Sequence, residues 1–311
     1  MTDPAVSFEP HRRRLLGLAY RMLGSVSEAE DAVQDTYLRW HAADRDSVSD
    51  PRAFLTTTAT RICLDTLKSA RVRRETYVGP WLPEPVLDTA ALAPDAQTEL
   101  AEDLSIALLL ALDRLSPLER AAFLLHDVFD CSFGEVAGAL GRSEAACRQL
   151  ASRARTHVRE ARPHGVSTVQ SRSESSTHQQ LVAAFVHAAR SGDVQALMGM
   201  LADDVRLMTD GGGKVAAALN VIEGADRTVR FVVGAVSKGL PEGSTIRVTS
   251  INGLAGVVAY RPDGSVQSVA FEIGGDRIHA IYAVSNPEKL SHLTSFIARG
   301  GSSGTCVWCR C

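Results

Sequence analysis

Residues 132–159, SFGEVAGALGRSEAACRQLASRARTHVR, hold the spacing most able to do chemistry on a nucleic acid. Val136, Ala137 and Leu140 form one inward stripe, Gly141 allows a turn, and Cys147, Leu150, Ala154 and Val158 form the stripe of a second helix, which is helix-turn-helix arithmetic. Glu144, Ala145, Arg148, Gln149, Ser152 and Arg153 then project from the opposite and flanking faces. Arg and Gln there can hydrogen-bond base edges, whereas Arg155 and Arg159, further along, suit phosphates, which position a helix without reading sequence. Taken alone, the pattern describes equally well a helical hairpin whose arginines form a solvated face.

Two further groupings lie upstream. Asp31, Gln34, Asp35 and Leu38 fall at i, i+3, i+4, i+7, so two carboxylates, an amide and an apolar contact share one helix edge. That edge would meet a basic partner helix; in isolation it is an ordinary acidic solvated edge. Arg61, Lys68, Arg71, Arg73 and Arg74 give the next helix a cationic face suited to phosphates.

Titratable residues after position 176 are less organised. Asp204, Asp210, His187, Arg247 and His279 show no spacing that implies a catalytic dyad, so no catalytic residue and no cofactor is expected. The run Asp210-Gly211-Gly212-Gly213-Lys214 is not a phosphate-cradling loop, because Val215 stands where Ser or Thr is needed. Its glycines favour a tight backbone path that brings Asp210 and Lys214 close to a neighbouring segment. Cys306, Cys309 and Cys311 offer three thiols where a closed zinc site needs four ligands, with His292 across a flexible stretch, so no metal site is assigned.

The elements that position these groups are helical up to about residue 162. Pro10 to Leu23 carries an apolar stripe, Ser27-Glu28-Ala29-Glu30 reads as a capping box, and Asp50-Pro51 reads as an N-cap with Pro at the first helical position. Leu100 to Leu115 forms another helix, followed by capped starts at Ser116 and Ser132 and a basic helix opening near Ser143. From Thr177 the pattern becomes α+β: an amphipathic helix through Leu181, Ala184, Phe185, Ala188 and Ala189, then strands at 245–250, 257–260, 266–273 and 277–284 with Gly-containing turns. Asn286-Pro287-Glu288-Lys289 starts a closing helix.

Composition bounds the rest. The 311 residues are 45% hydrophobic and 22% charged, an ordinary globular balance that excludes a wholly disordered or collagen-like chain. A net charge of −3 hides a local asymmetry, since 142–162 carries six Arg and two Glu while 76–113 carries seven acidic residues and no Lys or Arg. No stretch approaches the roughly 18 apolar residues of a membrane span, and the start lacks a secretory apolar core, so a cytoplasmic protein with no membrane partner is expected. Cys63, Cys131 and Cys147 sit singly in helical patterns, as small buried hydrophobes of a reducing compartment do.

EAEDAVQDTYLRW at 28–40 resembles the polymerase-binding helix of bacterial extracytoplasmic-function sigma factors, and FLTTTATRICLDTLKSARVRR at 54–74 resembles the promoter-reading helix beside it. GPWLPEP at 79–85, DGGGK at 210–214 and NPEKL at 286–290 resemble the signatures of the subgroup with a fused SnoaL-like C-terminal domain. NPEKL departs slightly from the usual NPDKL, and Thr60-Arg61 replaces the usual Arg-Asn, which leaves base preference open. The resemblance implies two all-α sigma domains, the second a helix-turn-helix, followed by an α+β SnoaL-like or NTF2-like cone. Its boundaries would be sigma domain 2 at 1–76 (core polymerase and −10 element), a Pro-rich acidic linker at 77–100 and sigma domain 4 at 101–163 (−35 element). A second linker at 164–176, the cone at 177–295 and a tail at 296–311 follow.

The implied partners are RNA polymerase core, through Asp31, Gln34, Asp35 and Leu38, and promoter DNA. Arg61, Lys68, Arg71, Arg73 and Arg74 would serve the −10 side, with a base flipped into the loop 41–50; Arg148, Gln149, Ser152, Arg153 and Arg155 would serve the −35 side. The resemblance also implies a regulatory contact that joins Trp81, Leu82, Pro83, Glu84 and Pro85 to Asp210, Gly211, Gly212, Gly213 and Lys214, and to Asn286, Pro287, Glu288, Lys289 and Leu290. A one-component DNA-binding regulator with a ligand-sensing cone is the alternative, with a small-molecule ligand in the cone left open, and a SnoaL-like enzyme is the third reading.

Overall fold

The computed structural model describes residues 3–75, 77–87, 104–161, 172–239 and 241–298. Local capping decides where its helices begin. Helix α1 (Pro4–Leu23) opens on Asp3, whose carboxylate accepts the Ala5 N–H, and closes on Gly24 in the left-handed region at φ 71°. The sequence reading starts this helix at Pro10; Asp3-Pro4 is itself a cap followed by Pro at N1, and it wins. In α2 (Val26–Ala42) the N-cap is Ser25, not Ser27: Ser25 holds extended backbone and its hydroxyl accepts from Glu28 N–H. Helix α3 (Pro51–Glu75) starts as expected at Asp50-Pro51, with Asp50 accepting from Ala53 N–H at 3.1 Å.

The second helical block contains α4 (Ile106–Asp113), α5 (Pro117–Phe123), a π-turn (Leu124–Val128), α6 (Phe133–Leu140) and α7 (Glu144–Ala161). Ser116–Glu119 and Ser132–Glu135 both close full capping boxes. The expected helix start at Leu100 lies outside the described residues.

By contact density the chain divides into two units. The first joins the helices before Thr76 to those from Asp88 to His164. Its core gathers Phe8, Leu15, Val33, Trp40, Leu55 and Ala59, with Trp40 Nε1 donating to Ser7 Oγ at 3.1 Å. Arginines tie its early helices to its late ones: Arg14 donates to the Phe129 carbonyl, Arg120 donates to the Met22 carbonyl, and Arg14 and Arg21 lie 5.1 and 5.7 Å from the Phe129 ring centroid.

The second unit contains residues 77–87 together with the C-terminal α+β domain. Helices α8 (Arg172–Ser191), α9 (Val194–Met200) and α10 (Ala225–Gly239) cover one face of a six-stranded sheet. Its strands are β1 (Leu201–Asp210), β2 (Ile222–Glu223), β3 (Thr245–Ile251), β4 (Leu254–Tyr260), β5 (Val266–Gly274) and β6 (Arg277–Val284), and α11 (Pro287–Ala298) closes the domain. The order is β2-β1-β6-β5-β4-β3, antiparallel except for the parallel pair β1–β6. Alternation along each strand sends Leu207, Phe271 and Ile281 into the helix-covered core with Val182, Phe185, Leu197 and Val229. The Phe185 and Phe271 rings meet edge to face at 5.2 Å. Ala184, expected in that stripe, is exposed, because Val182 and Phe185 carry the helix's contact.

Residues 77–87, part of the linker 77–100 in the sequence reading, pack with the C-terminal domain, to which the family resemblance joins residues 81–85. Leu82 is fully buried, and Pro83, Glu84, Pro85 and Val86 are buried beside it.

Candidate functional site

The recognition-helix candidate, α7, is positioned by its own caps. Gly141 takes the left-handed turn at φ 62°, and the Ser143 hydroxyl accepts from Ala146 N–H. Cys147, Ala154 and Val158 of the expected stripe are buried against the rest of the unit, whereas Leu150 is only half-buried and Ala151, one position on, takes the buried place. Glu144, Ala145, Arg148, Gln149, Ser152 and Arg153 are exposed, as the periodicity requires. Arg148 ion-pairs with Glu144 at 2.6 Å, and Arg153 with Glu119 at 3.2 Å. Arg155, expected at phosphates, is half-buried, and its Nε donates to Asp127 at 2.7 Å.

On α2, the residues Asp31, Gln34, Asp35 and Leu38 are all exposed and share one edge, with Leu38 56% accessible. An exposed leucine one turn beyond two carboxylates is suited to a partner surface that is basic with an apolar spot.

On α3 the cations separate. Lys68 is exposed and paired with Asp65 at 2.8 Å. Arg61 Nε and Nη2 donate to the carbonyls of Ala139 and Gly138, at 3.1 and 2.9 Å, so this guanidinium caps the C-terminal end of α6. The side chains of Arg71, Arg73 and Arg74 lie outside the described residues. The loop 41–50 carries a 3-10 turn, Arg45–Ser47, and most of it is exposed.

The densest polar arrangement is a clasp in the second unit, centred on the buried carboxylate of Asp210 at the end of β1. It accepts from Tyr77 Oη at 2.6 Å, Leu82 N–H at 2.8 Å, Gly212 N–H at 3.1 Å and Lys289 Nζ at 2.7 Å. Lys289 also donates to the Leu82 carbonyl, and its ammonium lies 4.9 Å from the Tyr77 ring centroid and 4.4 Å from that of Trp81. Asn286 Nδ2 donates to Tyr77 Oη at 2.9 Å. Burial, and then donation to the Asp210 carboxylate, push the Tyr77 hydroxyl well above its ordinary pKa.

The glycines between Asp210 and Lys214 are there for space. A Cβ on Gly212 would lie 2.2 Å from Asn286 Nδ2, at φ 61°, and one on Gly211 would lie 2.1 Å from the Val215 carbonyl. Lys214 is exposed and ion-pairs with Glu288, while Leu290 is buried in α11. Beyond Leu82 the segment continues to the β3–β4 turn, where Val86 N–H and C=O bond Asn252 Oδ1 and N–H at 3.0 and 2.8 Å, and His292 Nε2 donates to the Pro85 carbonyl at 2.8 Å.

Of the residues that the resemblance places in this contact, Trp81, Leu82, Pro85, Asp210, Gly212, Asn286 and Lys289 meet here, and Lys214 and Glu288 pair with each other. Tyr77, Asn252 and His292 were not expected. Asn252-Gly253 between two strand patterns is a turn signal, with Asn252 at φ 52°, but nothing in its type announces the bond to Val86.

Asp204 and His187 are exposed on β1 and α8, Arg247 is exposed on β3 and His279 is on β6, so only Asp210 of these candidates enters the clasp. Among the described residues no group of three or more His, Cys, Asp or Glu could hold a metal ion, and no helix is long and apolar enough to cross a membrane. The tail cysteines lie outside the described residues.

Comparison with known proteins accounts for the helical half directly. Residues 8–73 match Sigma-70 region 2, and residues 105–158 match Sigma-70, region 4. The chain is 39% identical over 294 residues to the ECF RNA polymerase sigma factor SigJ of Mycobacterium tuberculosis, covering 91% of this chain and 92% of that one. It is 29% identical over 303 residues to the probable ECF RNA polymerase sigma factor SigI of the same organism, covering 96% and 99%. The crystal structure of the extracytoplasmic function sigma factor SigJ of M. tuberculosis aligns at a TM-score of 0.69 and 34% identity, over 92% of this chain and 98% of that chain. With both sigma regions in order, a fused α+β domain behind them and similarity along nearly the whole length, the chain belongs to the extracytoplasmic-function family of RNA polymerase sigma factors, in the type with a SnoaL-like C-terminal domain.

Proposed function

We propose that this sigma factor is regulated in cis, with the C-terminal domain acting as a clasp on the segment that connects its two DNA-reading regions. The observation that carries the reading is the Asp210 carboxylate, which accepts from Tyr77, Leu82 and Lys289 at once. A proline-stiffened segment loses little entropy on docking, so the clasp fixes the route of the connection at low cost. The exposed edge Asp31, Gln34, Asp35 and Leu38 binds core polymerase. Arg148, Gln149, Ser152 and Arg153 read the upstream promoter element, Lys68 and the basic end of α3 serve the downstream one, and a cytoplasmic location follows from that partner.

The C-terminal domain does no catalysis in this reading. Its core is filled by side chains such as Phe185, Leu207 and Phe271, and its best-placed carboxylate is already spent on the clasp. The domain boundaries follow the same logic: functionally, 77–87 goes with the cone.

The test is transcription with purified core polymerase, comparing the full chain with Asp210→Asn and with a chain lacking 177–311. Regulation in cis predicts that both variants change promoter output over a range of polymerase concentrations. Identical output from all three would overturn it.

A further inference from the structure

We propose that Phe133, at the first turn of α6, is a positioning residue that presents Arg148 of α7 to the upstream promoter element. The proposal rests on the reading that Arg148 contacts a base.

An exposed arginine samples many rotamers, and each one that points away from the groove weakens recognition. Arg148 is not left to sample them freely. Its guanidinium carbon lies 5.2 Å from the Phe133 ring centroid, and its Nη2 is 2.6 Å from Glu144 one turn earlier. A contact of this kind at an exposed site biases the side chain by roughly twofold to fivefold.

The Phe133 ring is fixed in turn. It stacks on the His126 ring, with centroids 3.9 Å apart and planes inclined by 27°. His126 belongs to the π-turn Leu124–Val128, and its Nδ1 is 2.9 Å from the Cys131 carbonyl. A carbonyl only accepts, so Nδ1 carries the proton, and that bond fixes the orientation of the imidazole. From the Cys131 carbonyl through His126 and Phe133, a chain of contacts reaches the one recognition-helix arginine seated on an aromatic ring among the described residues. Aromatic rings at such places are commonly read as core. Phe133 is only half-buried, however, while Val136 and Leu140 supply the buried stripe of the same helix.

The chemistry recognised is a planar pair of acceptors, as on the major-groove edge of guanine, which a preset guanidinium meets with two parallel hydrogen bonds. Phe133 would sharpen selection at one base pair and leave overall attachment to DNA untouched, because phosphate contacts supply the latter.

The experiment uses the full chain with core polymerase and a promoter pool randomised over the upstream element, with base preference at each position read from the transcripts. Variants are Arg148→Ala, Phe133→Leu, Phe133→Tyr and Arg148→Ala with Phe133→Leu, each checked for unchanged thermal unfolding. Arg148→Ala should flatten the preference at one position. Phe133→Leu should weaken that same position by about twofold to fivefold; Phe133→Tyr should restore it, and the double variant should be no flatter there than Arg148→Ala. The proposal is overturned if Phe133→Leu lowers output evenly across the pool, or if its effect persists unchanged without Arg148. If Arg148→Ala shifts no preference, the base-contact reading itself fails and the positioning role falls with it; if only Phe133→Leu is silent, the positioning role alone falls.

Discussion

The Lys289 ammonium lies 2.7 Å from the Asp210 carboxylate, and both side chains are almost wholly withdrawn from water, with side-chain exposures of 10% and 0%. Each charge needs the other. Desolvation costs several kcal/mol per ion, and the attraction offsets it only when the remaining donors and acceptors are also satisfied. Here they are: Tyr77, Leu82 N–H and Gly212 N–H complete Asp210, while the Leu82 carbonyl and two aromatic rings complete Lys289. All of these groups except Gly212 N–H come from the segment 77–87, so burying the ion pair and docking the segment are one event.

Removing one charge should therefore undock the segment. Asp210→Ala leaves a buried ammonium without its carboxylate, and the expected loss is about 3–5 kcal/mol of local stability. Protease cleavage within 77–87 should rise, and Asp210→Leu combined with Lys289→Met should recover part of the loss. Equal cleavage of wild type and Asp210→Ala would show that the ion pair does not hold the segment.

Arg61 offers a second test inside the first unit. Its two bonds to the Gly138 and Ala139 carbonyls satisfy the end of α6. Arg61→Ala should lower unfolding stability by about 1–2 kcal/mol, measured in denaturant. Arg61→Lys, with a single ammonium in place of the planar fork, should recover only part. A variant with unchanged stability but altered promoter binding would return Arg61 to the phosphate-contact role implied by its family resemblance.

The capping box of α5 gives a pH dependence. Hydrogen bonding by Ser116 is the largest influence holding the Glu119 carboxyl below its ordinary value of 4.5, and Arg153 adds to it. The folded chain thus binds this proton less tightly than the unfolded one. The stability it contributes is present above about pH 4.5 and is lost as pH falls through the lower folded value. The stability gap between wild type and Glu119→Gln, followed by denaturant unfolding, should close over that acidic range. A gap that stays constant with pH would mean that the charge of Glu119 is not what the cap uses.

Legibility in the sequence tracked the range of the interaction. Ser116, Ser132 and Gly141 act within a few residues, so their caps and turn were readable from spacing alone. The exposed face of α7 followed from period 3.6, and so did its buried face except that Ala151 rather than Leu150 is buried. Strand β1 escaped notice because Asp203, Asp204, Arg206 and Asp210 interrupt its apolar alternation, and α10 escaped for want of a clear start signal. The partners of Asp210 lie 128 and 79 residues away at Leu82 and Lys289, a distance over which periodicity is silent. Family resemblance supplied those motifs as a set, whereas Tyr77 carried no local mark and Asn252 only that of a turn. Arg61 had the charge of a phosphate contact, and only packing revealed that its donors point at α6.

The edge of α2 separates a docking surface from a solvated one. Asp31, Gln34, Asp35 and Leu38 are exposed, and Ala29, Ala32, Val33, Thr36 and Trp40 bury the opposite side, so substitutions on the edge leave the core untouched. Asp31→Asn with Asp35→Asn should change thermal stability by less than about 0.5 kcal/mol, as exposed positions usually do. If the edge docks on a basic surface of core polymerase, the same pair should weaken association with the core at least tenfold and slow its on-rate more at low salt than at high salt. Leu38→Ala should act differently: with no charge removed, it should speed dissociation and leave the salt dependence as it was. Core binding indifferent to all three changes would reduce this edge to solvated surface and move the search for the polymerase contact elsewhere on the first unit.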